Sequence, residues 1–189
     1  MSHHLVLLDP STPATAWAPF AGVRPLSELR AGVWKVRERW EAALDLEAIA
    51  VVAAHAAGFH EGFEPPCLSV TPASGPLIAA SSTFAPTGAP IVIAPGTKRL
   101  THGGDTVAWV VDDAAGWLGP SAEGAAQEID GLPLRGTFDL VAALDRFLAP
   151  DCLGFSAGPV DPVPAGSIIL GDPGLVFSRG ASVEPGVVF

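Results

Sequence analysis

The stretch "VRPLSELRAGVWKVRERW" at positions 23–40 holds Arg24, Arg30, Lys35, Arg37 and Arg39, five of the ten basic residues in the chain. Guanidinium and ammonium groups gathered in this way are suited to binding anions, phosphate above all, because they offset charge on phosphoryl oxygens. Read as a helix, the stretch places Arg30, Arg37 and Glu41 on one side and Lys35 and Arg39 on another, so the five charges do not all converge on one ligand. Arg37 and Glu41 then form an ordinary i,i+4 pair on a solvated face. Arg24 stands apart, on the connection that precedes the helix.

Asp9 closes the first apolar run, where α/β sheets present ligand contacts; a turn-forming Asp before Pro10 is the plainer reading. Asp105 follows Gly103 and Gly104 in "THGGDT", which reads as a tight hairpin turn or as backbone lining a phosphate. His55, His60, Glu61 and Glu64 are a local group of metal-type ligands, but the histidines are five apart rather than the four that share a helix face. Trp34 lies off the helical stripe and, if exposed, is a contact for a partner chain. Cys67 and Cys152 lack metal or redox spacing and read as ordinary buried thiols.

These residues need a scaffold. Residues 5–8 are a continuous apolar run, the pattern of a strand buried on both faces. Ser27 is a natural N-cap, Glu28 suits a first helical turn, and Leu29, Val33, Val36, Trp40 and Ala43 then recur on one helical face. A second buried strand follows at 48–54. Strand, helix, strand implies parallel pairing and an α/β sheet. Short strands are expected at 77–80, 91–94 and 106–111. Thr137 is expected to cap a second helix whose Leu140, Val141, Leu144, Phe147 and Leu148 share a face, with Pro150 ending it.

The chain carries a formal charge of −10, which argues against nucleic acid or an anionic membrane as main partner. Charged residues make up only 16%, below the roughly 25% of an average domain, and this points to burial against another chain. The apolar runs are too short for a membrane helix, and the N-terminus lacks the pattern of a secretory signal, so a cytoplasmic protein is expected.

The opening "LVLLDP" followed by "RPLSELRAGVWKVRERWE", and the closing "LVFSRGASVEPGVVF", resemble the two ends of the nucleotidyltransferase domain of bacterial GlmU-family sugar nucleotidyltransferases. The resemblance implies a nucleotidyltransferase-like, Rossmann-like mixed α/β sheet over 1–165, with residues 166–189 entering a left-handed β-helix. It also implies attack of a sugar 1-phosphate on a nucleoside triphosphate, of uridylyl type, with Mg²⁺. Arg24, Arg30 and Arg37 match the family's basic positions and become phosphate-binding candidates, and Asp9 and Asp105 become metal candidates. The departures are as informative. Ala21, Gly22 and Val23 stand where the family has hydroxyls, no Gly-rich loop follows the first strand, and the sequence stops at Phe189, where the acyltransferase half would begin. These departures favour a degenerate domain serving as an interaction or scaffold subunit; an active transferase is the alternative.

Overall fold

The computed structural model describes residues 3–62, 64–72, 75–155, 162–163, 165–171, 176 and 182–189. In chain order the regular elements are β1 (His4–Leu8), β2 (Arg30–Ala31), β3 (Trp34–Lys35), α1 (Val36–Leu44), β4 (Ala48–Val52), β5 (Cys67–Leu68), β6 (Leu77–Ser81), β7 (Phe84–Pro86), β8 (Arg99–His102), β9 (Asp105–Val111), β10 (Ala126–Glu128), β11 (Gly131–Pro133) and α2 (Thr137–Phe155). Seven strands form one sheet in the order β10-β8-β9-β6-β1-β4-β5. β1 pairs in parallel with β4 and β6, and β9 alone runs against its neighbours. The βαβ expectation and the mixed α/β class hold.

Leu5 and Leu7 of β1 are fully buried, and with Val51, Ile78 and Ala80 of neighbouring strands they meet Trp40 of α1 and Phe147 of α2 in the main core. Trp40 is fully buried, and its indole N–H donates to the carbonyls of Ser81 and Phe84, both at 3.1 Å. One side chain thus fills volume and satisfies the backbone where β6 turns into β7.

Five local expectations are corrected. The first helix does not follow Ser27. A 3₁₀ turn covers Leu26–Glu28, a hairpin joins β2 to β3, and α1 starts only at Val36. Gly32 (φ +78°) makes that hairpin turn. A helix through this point would lose the close approach of α2, because a Cβ on Gly32 would meet Asp151 Oδ2 at 2.5 Å and Phe147 Cβ at 2.7 Å. Lys35 occupies the N-cap instead, and its backbone N–H donates to the Glu38 carboxylate at 2.8 Å. Second, 91–94 is no strand; the Gln127 side chain substitutes for a partner strand by bonding the backbone of Ala94 and Val92, each at 2.9 Å.

Third, Pro150 lies inside α2 and does not end it. Fourth, Val141, Leu144 and Leu148 are exposed, while Ala143, Phe147 and Asp151 face the core. Thr137 does not cap the helix either: its hydroxyl donates to the carbonyls of Ala16 and Ala18. Asp139 accepts the N–H groups of Arg135 and Gly136 in its place.

Of the expected β-helix entry at 166–189, residues 172–175 and 177–181 lie outside the described residues. The described part has a parallel bridge between Ile168 and Val188.

Gly32→Ala gives the first testable consequence. A positive φ and two contacts far inside van der Waals distance should together cost about 2–4 kcal/mol. Thermal or urea unfolding followed by circular dichroism checks this; an unchanged midpoint would mean that α2 is not seated on the hairpin as described.

Candidate functional site

The connection from β1 leads to β4 on one side, and the connection from β6 leads to β8 on the other. The two sets of crossovers part between β1 and β6, and ligands of open α/β sheets bind at the carboxyl ends of strands at such a point. Asp9 stands there, just past β1, as the sequence suggests. Its side chain is fully buried. Oδ2 accepts the Leu26 N–H at 2.6 Å and the His55 ring at 2.9 Å. The Gly22 N–H donates to His55 Nδ1 at 3.2 Å, so Nε2 carries the proton that bonds Asp9. The other carboxylate oxygen, Oδ1, is buried with no partner, as are the hydroxyls of Ser27 and Ser82.

The space over this edge is taken up by the chain itself. Leu26, Ser27 and Glu28 are buried, and the hydrogen bond from Leu26 to Asp9 seats their turn on the end of β1. Glu28 then gathers the basic residues. Its carboxylate, fully buried, accepts Lys35 Nζ at 2.7 Å and Arg37 Nε at 2.6 Å. Arg37 also forks onto Glu41, at 2.9 and 3.0 Å. Burial pushes the Glu28 carboxyl up, but hydrogen bonds from Arg37 and Lys35, with their charges, outweigh it and hold the group below its ordinary value. Burial likewise presses on Arg37, and its two carboxylates more than offset this, leaving its pKa raised.

Arg39 turns the other way. Its Nε donates to the Ala31 carbonyl at 2.6 Å and its Nη2 bonds Asp151, with the guanidinium 3.8 Å from the centre of the Phe147 ring. Asp151 also accepts the Val33 N–H at 2.9 Å, tying α2 to the β2–β3 turn. Burial lowers the Arg39 pKa, and Asp151 recovers only part of the loss. The basic cluster is therefore mainly a set of buried ion pairs holding α1, the 3₁₀ turn, the hairpin and α2 together.

The remaining predicted residues fall in different places. Arg24 pairs with Glu61 and lies 5.3 Å from the centre of the Phe59 ring. Arg30 is exposed and donates to the Val33 carbonyl. Arg24, Arg30 and Arg37 thus each have partners within the chain. Asp105 opens β9 at the same sheet edge as Asp9 but two strands away, about 10 Å by strand spacing. It sits at the tight hairpin formed by Gly103 (φ +58°) and Gly104 (φ +92°). A magnesium ion bound to two carboxylates needs both oxygens about 2 Å from it; Asp9 Oδ2 is already engaged by Leu26 and His55, leaving Oδ1 as its free oxygen. His60 bonds Glu64 at 2.8 Å. Among the described residues no three His, Cys, Asp or Glu side chains form a metal-type group. Both cysteines are free thiols.

Trp34, 39% exposed, lines a cleft of about 640 Å³ between α1 and α2, with Ala42, Phe147 and Pro150. None of Asp9, Arg24, Arg30, Arg37 or Asp105 reaches it. Sequence reasoning missed the central parts played by Glu28 and Asp151. Glu28 meets Lys35 and Arg37, seven and nine positions on, through the hairpin rather than along a helix, and Asp151 lies 112 positions from Arg39.

The βαβ opening, the mixed sheet and the motif that builds its carboxyl edge agree with the comparisons. A model of the family described as "Sugar nucleotidyl transferase" matches residues 5–156. Comparison with curated proteins and with solved structures yields no match. Among the described residues no helix is long and apolar enough to cross a membrane. With the family model spanning nearly the whole sheet and all of α2, the chain belongs to the sugar nucleotidyl transferase family.

Proposed function

We propose that this domain keeps the sugar nucleotidyl transferase fold as a non-catalytic interaction or scaffold subunit of a larger assembly, in the cytoplasm. One observation carries the reading: at the switch point between β1 and β6 the ligand space is occupied by the chain's own turn, Leu26–Glu28. The basic residues beside it agree, since Lys35 and Arg37 hold Glu28. A phosphate would have to displace Glu28 from them and leave that carboxylate buried without a partner, which costs several kcal/mol. The exposed Ile168, Leu170 and Val188 along the tail bridge support a further role for residues 166–189 as the entry to a GlmU-type β-helix packed on other chain.

The second reading is an active sugar-1-phosphate nucleotidyltransferase using a nucleoside triphosphate and Mg²⁺. It is favoured by the unpartnered, buried Asp9 Oδ1. In that reading Arg24 and Arg30, which are the motif's surface-reaching guanidiniums, turn toward the triphosphate, and the 3₁₀ turn moves off β1. Asp9, through Oδ1, and Asp105 are the carboxylates that would hold the magnesium ion in that reading.

Isothermal calorimetry with each common nucleoside triphosphate and Mg²⁺, with and without sugar 1-phosphates, tests the choice. No binding heat is expected. Saturable heat that disappears in an Arg24→Ala, Arg30→Ala double variant of unchanged thermal stability would overturn the non-catalytic reading.

A further inference from the structure

The outer side of α2 is largely apolar where an amphipathic surface helix should be polar, with the exposed Asp145 the one charge inside the arc. Phe138 is 89% exposed, Val141 62%, Leu144 39% and Leu148 44%. With Cys152 they span about 120° of the helix circumference, beside the sector that buries Ala143, Phe147 and Asp151 in the core. The stripe leaves on the order of 400 Å² of apolar surface in one strip, the size at which patches on single chains mark a binding surface.

From this we infer that α2 is the contact of a two-fold homodimer, packed antiparallel against α2 of a second copy. Two observations select a second copy as the occupant. The stripe is nearly symmetric along the helix about position 145: Phe138 and Cys152 lie seven residues to either side, and Val141 and Leu148 lie four and three residues away. An antiparallel pair therefore sets Phe138 against Cys152 of the other copy and Val141 against Leu148, so the patch is complementary to itself as a two-fold interface requires. Its area also matches the need: a standard interface buries about 800 Å² per partner, of which somewhat over half is apolar.

The stripe includes none of Asp9, Arg24, Arg30, Arg37 or Asp105, so the inference stands whether or not the domain transfers nucleotides. It has a further consequence. Each copy carries a charge of −10, which opposes encounter over a long range, while Asp145 of both chains near the two-fold axis limits the affinity. Screening should therefore strengthen the dimer, and association should tighten as salt is raised.

The test is sedimentation velocity on the full chain over a wide concentration range, at low and high salt, together with the Leu148→Glu variant. A concentration-dependent dimer is expected, and Leu148→Glu should weaken it by about thirtyfold or more with an unchanged circular dichroism spectrum, since Leu148 is not a core residue. Asp145→Cys in a Cys67→Ser, Cys152→Ser background should form an interchain disulfide under mild oxidation. A chain that remains monomeric at every concentration and salt would overturn the proposal, and the stripe would then be left to another protein. A dimer that Leu148→Glu leaves intact, or that Asp145→Cys does not cross-link, would place the interface elsewhere and overturn it equally.

Discussion

Replacing Glu28 with Gln is expected to cost on the order of 3–5 kcal/mol, the penalty for removing one partner from a buried ion pair. For a single domain of this size that is a large part of the total stability. The cost does not come from volume, because Gln is nearly isosteric. It comes from the two cations left behind: Lys35 loses its carboxylate, and Arg37, only 9% exposed at its side chain, keeps Glu41 alone. Urea denaturation at neutral pH measures the effect, and a loss under about 1 kcal/mol would show that solvent reaches the network and screens it.

The same residue predicts a pH dependence. Because the folded state holds the Glu28 carboxyl below its ordinary value of 4.5, the unfolded chain binds the proton more readily. The stabilisation is therefore complete above the unfolded value and is lost as pH falls through the lower folded value. Acid unfolding of the wild type should steepen below about pH 4.5, and that component should be missing from Glu28→Gln.

The second large effect is expected at Asp151. Asp151→Asn should lower stability by about 3–5 kcal/mol, because Arg39 is buried, its charge is already disfavoured by burial, and Asp151 is the carboxylate beside it. The Val33 N–H loses its charged acceptor as well. The pairing account makes a sharper claim than the single loss: once Arg39 is replaced by Met, Asp151→Asn should cost much less. A double-mutant cycle is expected to return a coupling energy of about 2–3 kcal/mol. A coupling near zero would mean that Asp151 serves the helix itself and not the contact between α2 and the hairpin.

Much of the framework was legible from residue pattern alone. The apolar runs at 5–8 and 48–54 are short, continuous and bounded by polar residues, the pattern of strands, and they pair in parallel as β1 and β4, although β4 ends at Val52 and leaves Ile49 exposed. Asp9 at the end of β1 and the Gly103-Gly104 hairpin followed from local rules too, since strand ends and positive-φ turns are decided by neighbouring residues. The concentration of basic charge in one segment and the family resemblance belong to the same layer. The segment from Ser27 to Trp40 did not, because its 3.6-residue apolar spacing is equally satisfied by a turn, a hairpin and a short helix once Gly32 reverses the chain. The exposed stripe of α2 was missed for a related reason: Leu140, Val141, Leu144, Phe147 and Leu148 fill an arc wide enough for two faces, and only the placement of Arg39 beneath Asp151 decides which of them meets the core.

What the sequence by itself determined is therefore the α/β class, its βαβ opening and the place where charge collects, all of which are written in the pattern of neighbouring residues. Only the tertiary structure decided what that charge does. Glu28 comes to Arg37 across the β2–β3 hairpin, and Asp151 comes to Arg39 from the far end of the chain. Pairing energies between buried charges depend on distance and burial in space, and neither quantity is written in the spacing of residues along the chain.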